Sequence, residues 1–191
     1  EEVELDYPGV FFYKSKNPRA TLSEISSVLY PQNDTIIVAV TGTNGKTSVT
    51  YFYAQLLSLL QSKAASIGTL GLSIFGSYTT DIINDPLDNL TTPSAPILHQ
   101  TINNLNHSGV KNIAIEASSH GLEQNRLDFV KCRTVAFTSF SNDHLDYHQN
   151  IENYFKAKLR ILKDIEHEGV VLCSDLDIYP RLLEVCNKQN I

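Results

Sequence analysis

The sequence predicts an α/β fold: a mostly parallel sheet flanked by helices and built around a phosphate-binding loop. Three observations carry that prediction. Short continuous apolar runs recur at 36–40, 112–115 and 134–137, each with the length and composition of a strand buried on both faces. Amphipathic stretches of helical period separate them, at 49–60, 97–105 and 151–165, and strands alternating with helices imply parallel crossovers. Finally, a glycine-rich segment stands where the first of these strands hands over to the first long helix.

Along the chain, residues 1–33 differ in pattern from residues 34–191. Val10-Phe11-Phe12-Tyr13 is strand-like, and Pro18 opens a helical pattern with Leu22, Ile25, Val28 and Leu29 on one side. Pro31-Gln32-Asn33-Asp34 breaks it. This stretch is too short to bury a core and is expected to be a remnant and connector. From Thr35 the alternation is regular: the strand at 36–40, a helix through Val49, Phe52, Leu56 and Leu60, and short strands at 66–67 and 72–75 around three glycines. Pro93 starts a helix ending near Gly109. Strands come next at 112–115, 134–137 and 170–172, with a helix at 151–165 and a last one over the final dozen residues.

Composition bounds the function. The 191 residues hold 15 Lys+Arg against 21 Asp+Glu, a formal net charge of -6, which argues against a nucleic-acid partner. No apolar run approaches the roughly 20 residues of a membrane span, and no signal peptide is recognisable, so no membrane insertion is expected. Cys132, Cys173 and Cys186 are widely spaced and form no CxxC pair, as expected for reduced thiols in a cytoplasmic protein. Met is absent, which leads us to expect a piece of a longer chain.

Thr41-Gly42-Thr43-Asn44-Gly45-Lys46-Thr47 is the sharpest signal. Phosphate oxygens need several donors at close range, and small residues let backbone N–H groups approach. The helix N-terminus adds its positive end. Lys46 can reach the outer phosphates, and the Thr47 hydroxyl can ligate Mg²⁺. A G-x-x-x-x-G-K-[ST] loop would need Gly at position 40, where Val40 stands. The loop is therefore a variant, or else a glycine turn with a chance Gly-Lys-Thr.

Asp143-His144-Leu145-Asp146-Tyr147-His148 comes after the strand at 134–137, at the carboxyl end where ligands gather in open α/β sheets. His144 and His148 have the spacing of a zinc pair on a helix, but Mg²⁺, which needs only one or two protein ligands, suits a phosphate-loop chain better. A polar loop with two solvated histidines is the bland alternative. Glu116 closes the strand at 112–115 and suits a second metal position, or simply precedes a helix capped by Ser118 or Ser119. Lys158 is out of place: Tyr154, Phe155, Ile161 and Leu162 surround it on the apolar stripe of its helix. It is either a snorkelling lysine or one whose charge is removed chemically.

Together these segments resemble the central ATPase domain of the Mur ligases, the ATP-dependent amide synthetases of peptidoglycan assembly. The carriers are VTGTNGKTS at 40–48, LTTPS at 90–94, IEASSHGLEQNRLD at 115–128, DHLDYH at 143–148 and YFKAKLRIL at 154–162, with KNPRATLSEIS at 16–26 ahead of them. TTPS with SSHGLxQxR is specific to the branch that adds the third peptide residue to UDP-N-acetylmuramoyl-L-alanyl-D-glutamate. The resemblance implies that Gly42, Thr43, Asn44, Gly45, Lys46, Thr47 and Ser48 hold ATP, and that Thr47, Glu116 and His144 bind Mg²⁺. It implies that Thr91, Thr92, Ser118, Gln124 and Arg126 bind the UDP-muramoyl peptide. It also implies that Lys158 is carbamylated by CO₂ and that Lys46, Lys158 and His144 serve catalysis.

By the same resemblance, 1–33 closes an amino-terminal UDP-binding domain, 34–191 is an incomplete central domain, and a carboxy-terminal ligase domain is absent. The expected partners are the muramoyl dipeptide and an amino acid, meso-diaminopimelate by overall likeness, and the expected state is a monomer. Without the missing domain little ligase activity is expected. Folylpolyglutamate synthase, another Mur ligase, or a nucleotide-binding module without ligase activity are the alternatives. Departures from the pattern sit at Leu90, at Ser139-Phe140-Ser141-Asn142 and at Leu172-Cys173-Ser174-Asp175.

Overall fold

The computed structural model describes residues 9–10, 12–76, 80–83 and 88–189, with 80–83 described for the backbone alone. Its elements are α1 (Pro18–Leu29), β1 (Ile36–Thr41), α2 (Lys46–Leu59), β2 (Ala64–Gly68), β3 (Gly71–Phe75), β4 (Thr80–Ile83) and α3 (Ala95–His107). After these come β5 (Asn112–Glu116), α4 (Ser119–Glu123), β6 (Cys132–Phe137), α5 (Leu145–His148), α6 (Ile151–Lys163), β7 (His167–Leu172) and α7 (Tyr179–Gln189). The seven strands lie in the order β4-β3-β2-β5-β1-β6-β7. β2, β5, β1, β6 and β7 run parallel, and β2-β3-β4 is an antiparallel meander at one edge. The predicted mostly parallel sheet is what forms.

Both faces are covered. Ala64 and Ala65 point to opposite sides, as neighbours on a strand must. Ala64 packs with Ala54 of α2 and Phe75, while Ala65 joins the larger core under the helices of the other face. That core holds Leu98 and Ile102 of α3, Phe155, Ile161 and Leu162 of α6, and Leu182 of α7 against Ile37, Ile113 and Val135. Central β1 therefore buries consecutive residues, Ala39 and Val40, completely, which is why it reads as an unbroken apolar run.

The amino-terminal expectations need correction. Phe12 and Tyr13 are exposed and in no strand, Val10 likewise, and Phe11 lies outside the described residues. α1 forms, with the Asn17 side chain accepting from the Ala20 N–H at its start. Its predicted apolar side, however, is exposed at Leu22, Ile25, Val28 and Leu29, and the buried residues are Ser23 and Ser26. Ser23 Oγ donates to Asp128 O at 2.7 Å, so a hydroxyl rather than a hydrocarbon anchors this helix. α2 behaves similarly: its buried residues are Thr50 and Ala54, whereas Phe52, Leu56 and Leu60 face outward. α4 and α5, helices of five and four residues, are too short to show a helical period in the sequence, and β4 is not among the strands the sequence predicts. Among the described residues no helix is long and apolar enough to cross a membrane.

Candidate functional site

The carboxyl ends of β1, β5 and β6 converge on one polar cavity of about 180 Å³. Its walls are the loop 43–47, Thr69 from the β2–β3 turn, Thr91, Glu116, Ser118 and Ser119, His144, and Lys158 from α6. Thr43–Thr47, Thr91, Glu116, Ser118, His144 and Lys158, widely separated in sequence, thus meet in one place.

The loop leaves β1 at Thr41 and feeds α2 at Lys46. Gly42 has φ +147, and a Cβ there would lie 2.1 Å from Thr138 Oγ1, so only glycine fits. Gly45, at φ 85, is the N-cap of α2. The end of β6 braces the loop: Thr138 Oγ1 donates to Asn44 O at 2.7 Å, Asn44 N donates to Ser139 Oγ at 2.8 Å, and Thr43 N donates to Ser139 O at 2.9 Å. From the other side, Tyr154 OH and Thr43 Oγ1 are hydrogen-bonded at 3.1 Å. Lys46 Nζ donates to Gly42 O and Thr43 O, both at 2.9 Å. Burial lowers its pKa, against the opposing fields of Glu116 and Asp143.

Glu116 is 1% exposed and fully engaged. Its Oε2 accepts from Thr47 Oγ1 at 3.0 Å and from Thr69 Oγ1 at 3.2 Å, and Oε1 accepts from the Thr69 N–H at 2.8 Å. Two oxygens proposed for a divalent cation, those of Thr47 and Glu116, are therefore already within reach of each other. That hard oxygen pair suits Mg²⁺, which keeps most of its own waters.

Lys158 is 1% exposed; its Nζ donates to Gly42 O at 2.7 Å and sits 4.6 Å from the Tyr154 ring centroid. Snorkelling is thereby excluded. Burial, with the nearby charge of Lys46, pushes its pKa down to about 7, and Asp143 opposes the shift weakly.

His144 has φ 51 and opens α5, half exposed, with the His120 ring edge-on at 4.9 Å. His148 is buried and bonds Ser119 Oγ through Nε2 at 3.0 Å. His148 uses Nε2 on Ser119 and has Nδ1 3.5 Å from Glu123, while His144 Nε2 lies 3.5 Å from Asp143, so the two rings have separate partners and do not form the zinc pair their spacing offered. Among the described residues no group of three His, Cys, Asp or Glu is arranged around a metal.

The far side of the cavity is the short helix α4. Ser118 caps it by accepting from the Gly121 N–H at 3.0 Å. Thr92 is fully buried, its hydroxyl donating to Glu116 O at 2.6 Å and bonded to Ser118 Oγ at 3.0 Å. Gln124 and Arg126 stand behind this wall, Arg126 Nη1 donating to Thr92 O at 2.7 Å. Ser48, within the first turn of α2, is outside the cavity lining. Sequence reasoning misses Thr69, Thr138, Ser139 and Tyr154. Thr69 between Gly68 and Leu70-Gly71 carries a usable signal, a hydroxyl in a glycine turn, but the partners of the others lie roughly a hundred residues away.

A parallel sheet with a glycine-rich loop entering a helix, a lysine at the loop's end and a carboxylate on the neighbouring strand is the arrangement of a phosphate-loop fold. Residues 40–191 match the Mur ligase middle domain, and the chain belongs to that family. It is 41% identical over 175 residues to a protein of Rickettsia bellii (strain RML369-C) named UDP-N-acetylmuramoyl-L-alanyl-D-glutamate--2,6-diaminopimelate ligase, covering 91% of this chain and 36% of that protein. A ligase of the same name from Rickettsia typhi (strain ATCC VR-144 / Wilmington) is 48% identical over 158 residues, 82% of this chain and 32% of the relative. A solved structure of such a ligase superposes with TM-score 0.78 at 27% identity, covering 92% of this chain and 35% of that one. Mycobacterium tuberculosis folylpolyglutamate synthase complexed with ADP shares the fold, at TM-score 0.64 and 17% identity over 91% of this chain and 44% of that one. The chain spans about a third of the length of the curated relatives it matches.

Proposed function

We propose that this chain is the ATP-binding part of a ligase that joins an amino acid to UDP-N-acetylmuramoyl-L-alanyl-D-glutamate, with 2,6-diaminopimelate the amino acid in the relatives' names and its meso form our expectation. The observation that carries the reading is the meeting of Lys46, Glu116, Thr47 and Lys158 in one cavity at the strand ends. The domain reading goes with it: 1–33 ends an amino-terminal domain and 34–191 is the central one. A monomeric, cytoplasmic enzyme fits these features.

Gly42 to Ser48 would hold the ATP phosphates, with loop N–H groups and Lys46 facing them. Thr47, Glu116 and His144 would hold Mg²⁺, which supplies charge neutralisation at the transferring phosphoryl group. Thr91, Ser118, Gln124 and Arg126 would hold the muramoyl peptide, and Thr92, fully buried with its hydroxyl and carbonyl both engaged, would hold Ser118 and Arg126 in place for it.

Reaction then takes two steps. An oxygen of the D-glutamyl carboxylate attacks the γ-phosphorus, the bond to the bridging oxygen breaks, and ADP leaves. The amine nitrogen of the incoming amino acid attacks the resulting acyl carbon, loses a proton, and expels phosphate. Lys46 stabilises the charge that develops on the moving phosphoryl oxygens.

Lys158 supports a further element of this reading. With a pKa near 7 about half of its amine is neutral at neutral pH, and a neutral amine is the form that captures CO₂. The resulting carbamate, formed with release of a proton, would put an anion in place of the buried amine beside the metal position. In the full-length protein, Lys46→Ala should abolish ATP-dependent amide formation while leaving the fold intact; retained turnover would refute the phosphate-loop assignment.

A further inference from the structure

Gln124 and Arg126 are linked by a directed chain of hydrogen bonds that ends on a residue with no assigned role. Arg126 Nη1 donates to Thr92 O at 2.7 Å, and Nη2 donates to Gln124 Oε1 at 2.6 Å. Guanidinium can only donate, so the Gln124 oxygen must face it and the amide nitrogen must face away. That nitrogen donates to Tyr147 OH at 3.0 Å.

Tyr147 is itself held. Its ring lies 4.1 Å from the His120 ring and edge-on to His148 at 4.8 Å, and its N–H donates to His144 O at 3.2 Å. His148 is buried and anchored on Ser119. The phenol, 40% exposed, therefore stands at the surface on a ring fixed between two imidazoles.

Remove that hydroxyl and the Gln124 amide, still turned with its oxygen toward Arg126, loses the anchor on its nitrogen. Held at one end only, the amide would brace the guanidinium less firmly, and Arg126 would be freer to move off Thr92 O. The free donors of Arg126 would then no longer converge on a ligand carboxylate.

We propose that Tyr147 is a positioning residue for an anionic peptide substrate: its phenol anchors the nitrogen of the Gln124 amide, which in turn braces the Arg126 guanidinium to present donors to a carboxylate. The proposal rests on the assignment of Gln124 and Arg126 to the muramoyl peptide. It adds to α5, which otherwise contributes His144, a second task on the substrate side.

The test is steady-state kinetics of the full-length ligase with UDP-muramoyl dipeptide as the varied substrate. Tyr147→Phe keeps the ring and its packing, so its melting midpoint should match wild type. It should raise KM for the dipeptide about five-fold, the loss expected for one neutral hydrogen bond, with kcat and KM for ATP unchanged. In a Gln124→Ala background, Tyr147→Phe should add nothing, because the amide it anchors is gone. A Tyr147→Phe enzyme with wild-type KM for the dipeptide, or effects of the two substitutions that multiply, overturns the proposal. Arg126→Ala separates the two failures. If it raises KM strongly while Tyr147→Phe does not, only the role of Tyr147 falls; if it leaves KM unchanged, the peptide site falls and the proposal with it.

Discussion

Removing the buried amine of Lys158 should change how stability depends on pH. The side chain is 1% exposed, and its pKa drops from 10.5 to about 7, chiefly through burial. Below pH 7 both folded and unfolded chains carry the proton, so the cost of burying the charge is fully present. Between pH 7 and 10.5 the unfolded chain still holds the proton and the folded chain has released it, so stability rises with pH. The whole shift corresponds to roughly 5 kcal/mol, and integrating over pH 7 to 9 gives about 2 kcal/mol of recovered stability.

Lys158→Met keeps the apolar stem and lacks the titrating group. Losing the bond to Gly42 O shifts the variant by an amount that does not vary with pH. Urea unfolding of both proteins at pH 7 and pH 9, in CO₂-depleted buffer without divalent metal, reads the difference. Wild type should gain about 2 kcal/mol relative to Lys158→Met over that interval. A difference that stays constant with pH would refute the claim that a neutral amine occupies the cavity wall.

Two further perturbations test the cavity's construction. Gly68→Ala would put a Cβ 2.0 Å from Glu116 Oε1; the carboxylate must move off Thr47 and Thr69. Calorimetric titration with Mg²⁺ and ATP should then show affinity at least about ten-fold weaker, the loss of one well-placed charged contact, and unchanged affinity would detach Glu116 from the nucleotide. Thr41 is fully buried and its hydroxyl has no partner among the described residues. Thr41→Val should therefore stabilise the chain by about 1 kcal/mol, read as a higher urea midpoint; a lower midpoint would mean that the hydroxyl is engaged.

Much of this architecture is written locally. β1, β5 and β6 are apolar runs because both sheet faces are covered, and a continuous run needs no long-range information to be recognised. The loop 41–47 is equally local, since backbone and small residues do its work. Lys158 stands out because four apolar neighbours fix its face on α6. The features that escape are relational. α1 and α2 have hydrophobic residues on their outer sides, and periodicity cannot tell an apolar stripe that faces the sheet from one that faces outward. The brace by Thr138, Ser139 and Tyr154 joins residues roughly a hundred positions apart through hydroxyls, which leave no periodic trace. His144 and His148 have helical spacing, but the left-handed backbone at His144 and the anchoring of His148 on Ser119 send the rings to different partners.

The central claim is that an acyl phosphate forms at this cavity, and isotope transfer tests it most directly. Full-length protein would be given UDP-muramoyl dipeptide carrying heavy oxygen in the D-glutamyl carboxylate, together with ATP, Mg²⁺ and the amino acid. Wild type should move label from the carboxylate into the released inorganic phosphate, one atom for each amide formed, and Lys46→Ala should move none. Amide formation with all of the label retained in the peptide product would contradict the account.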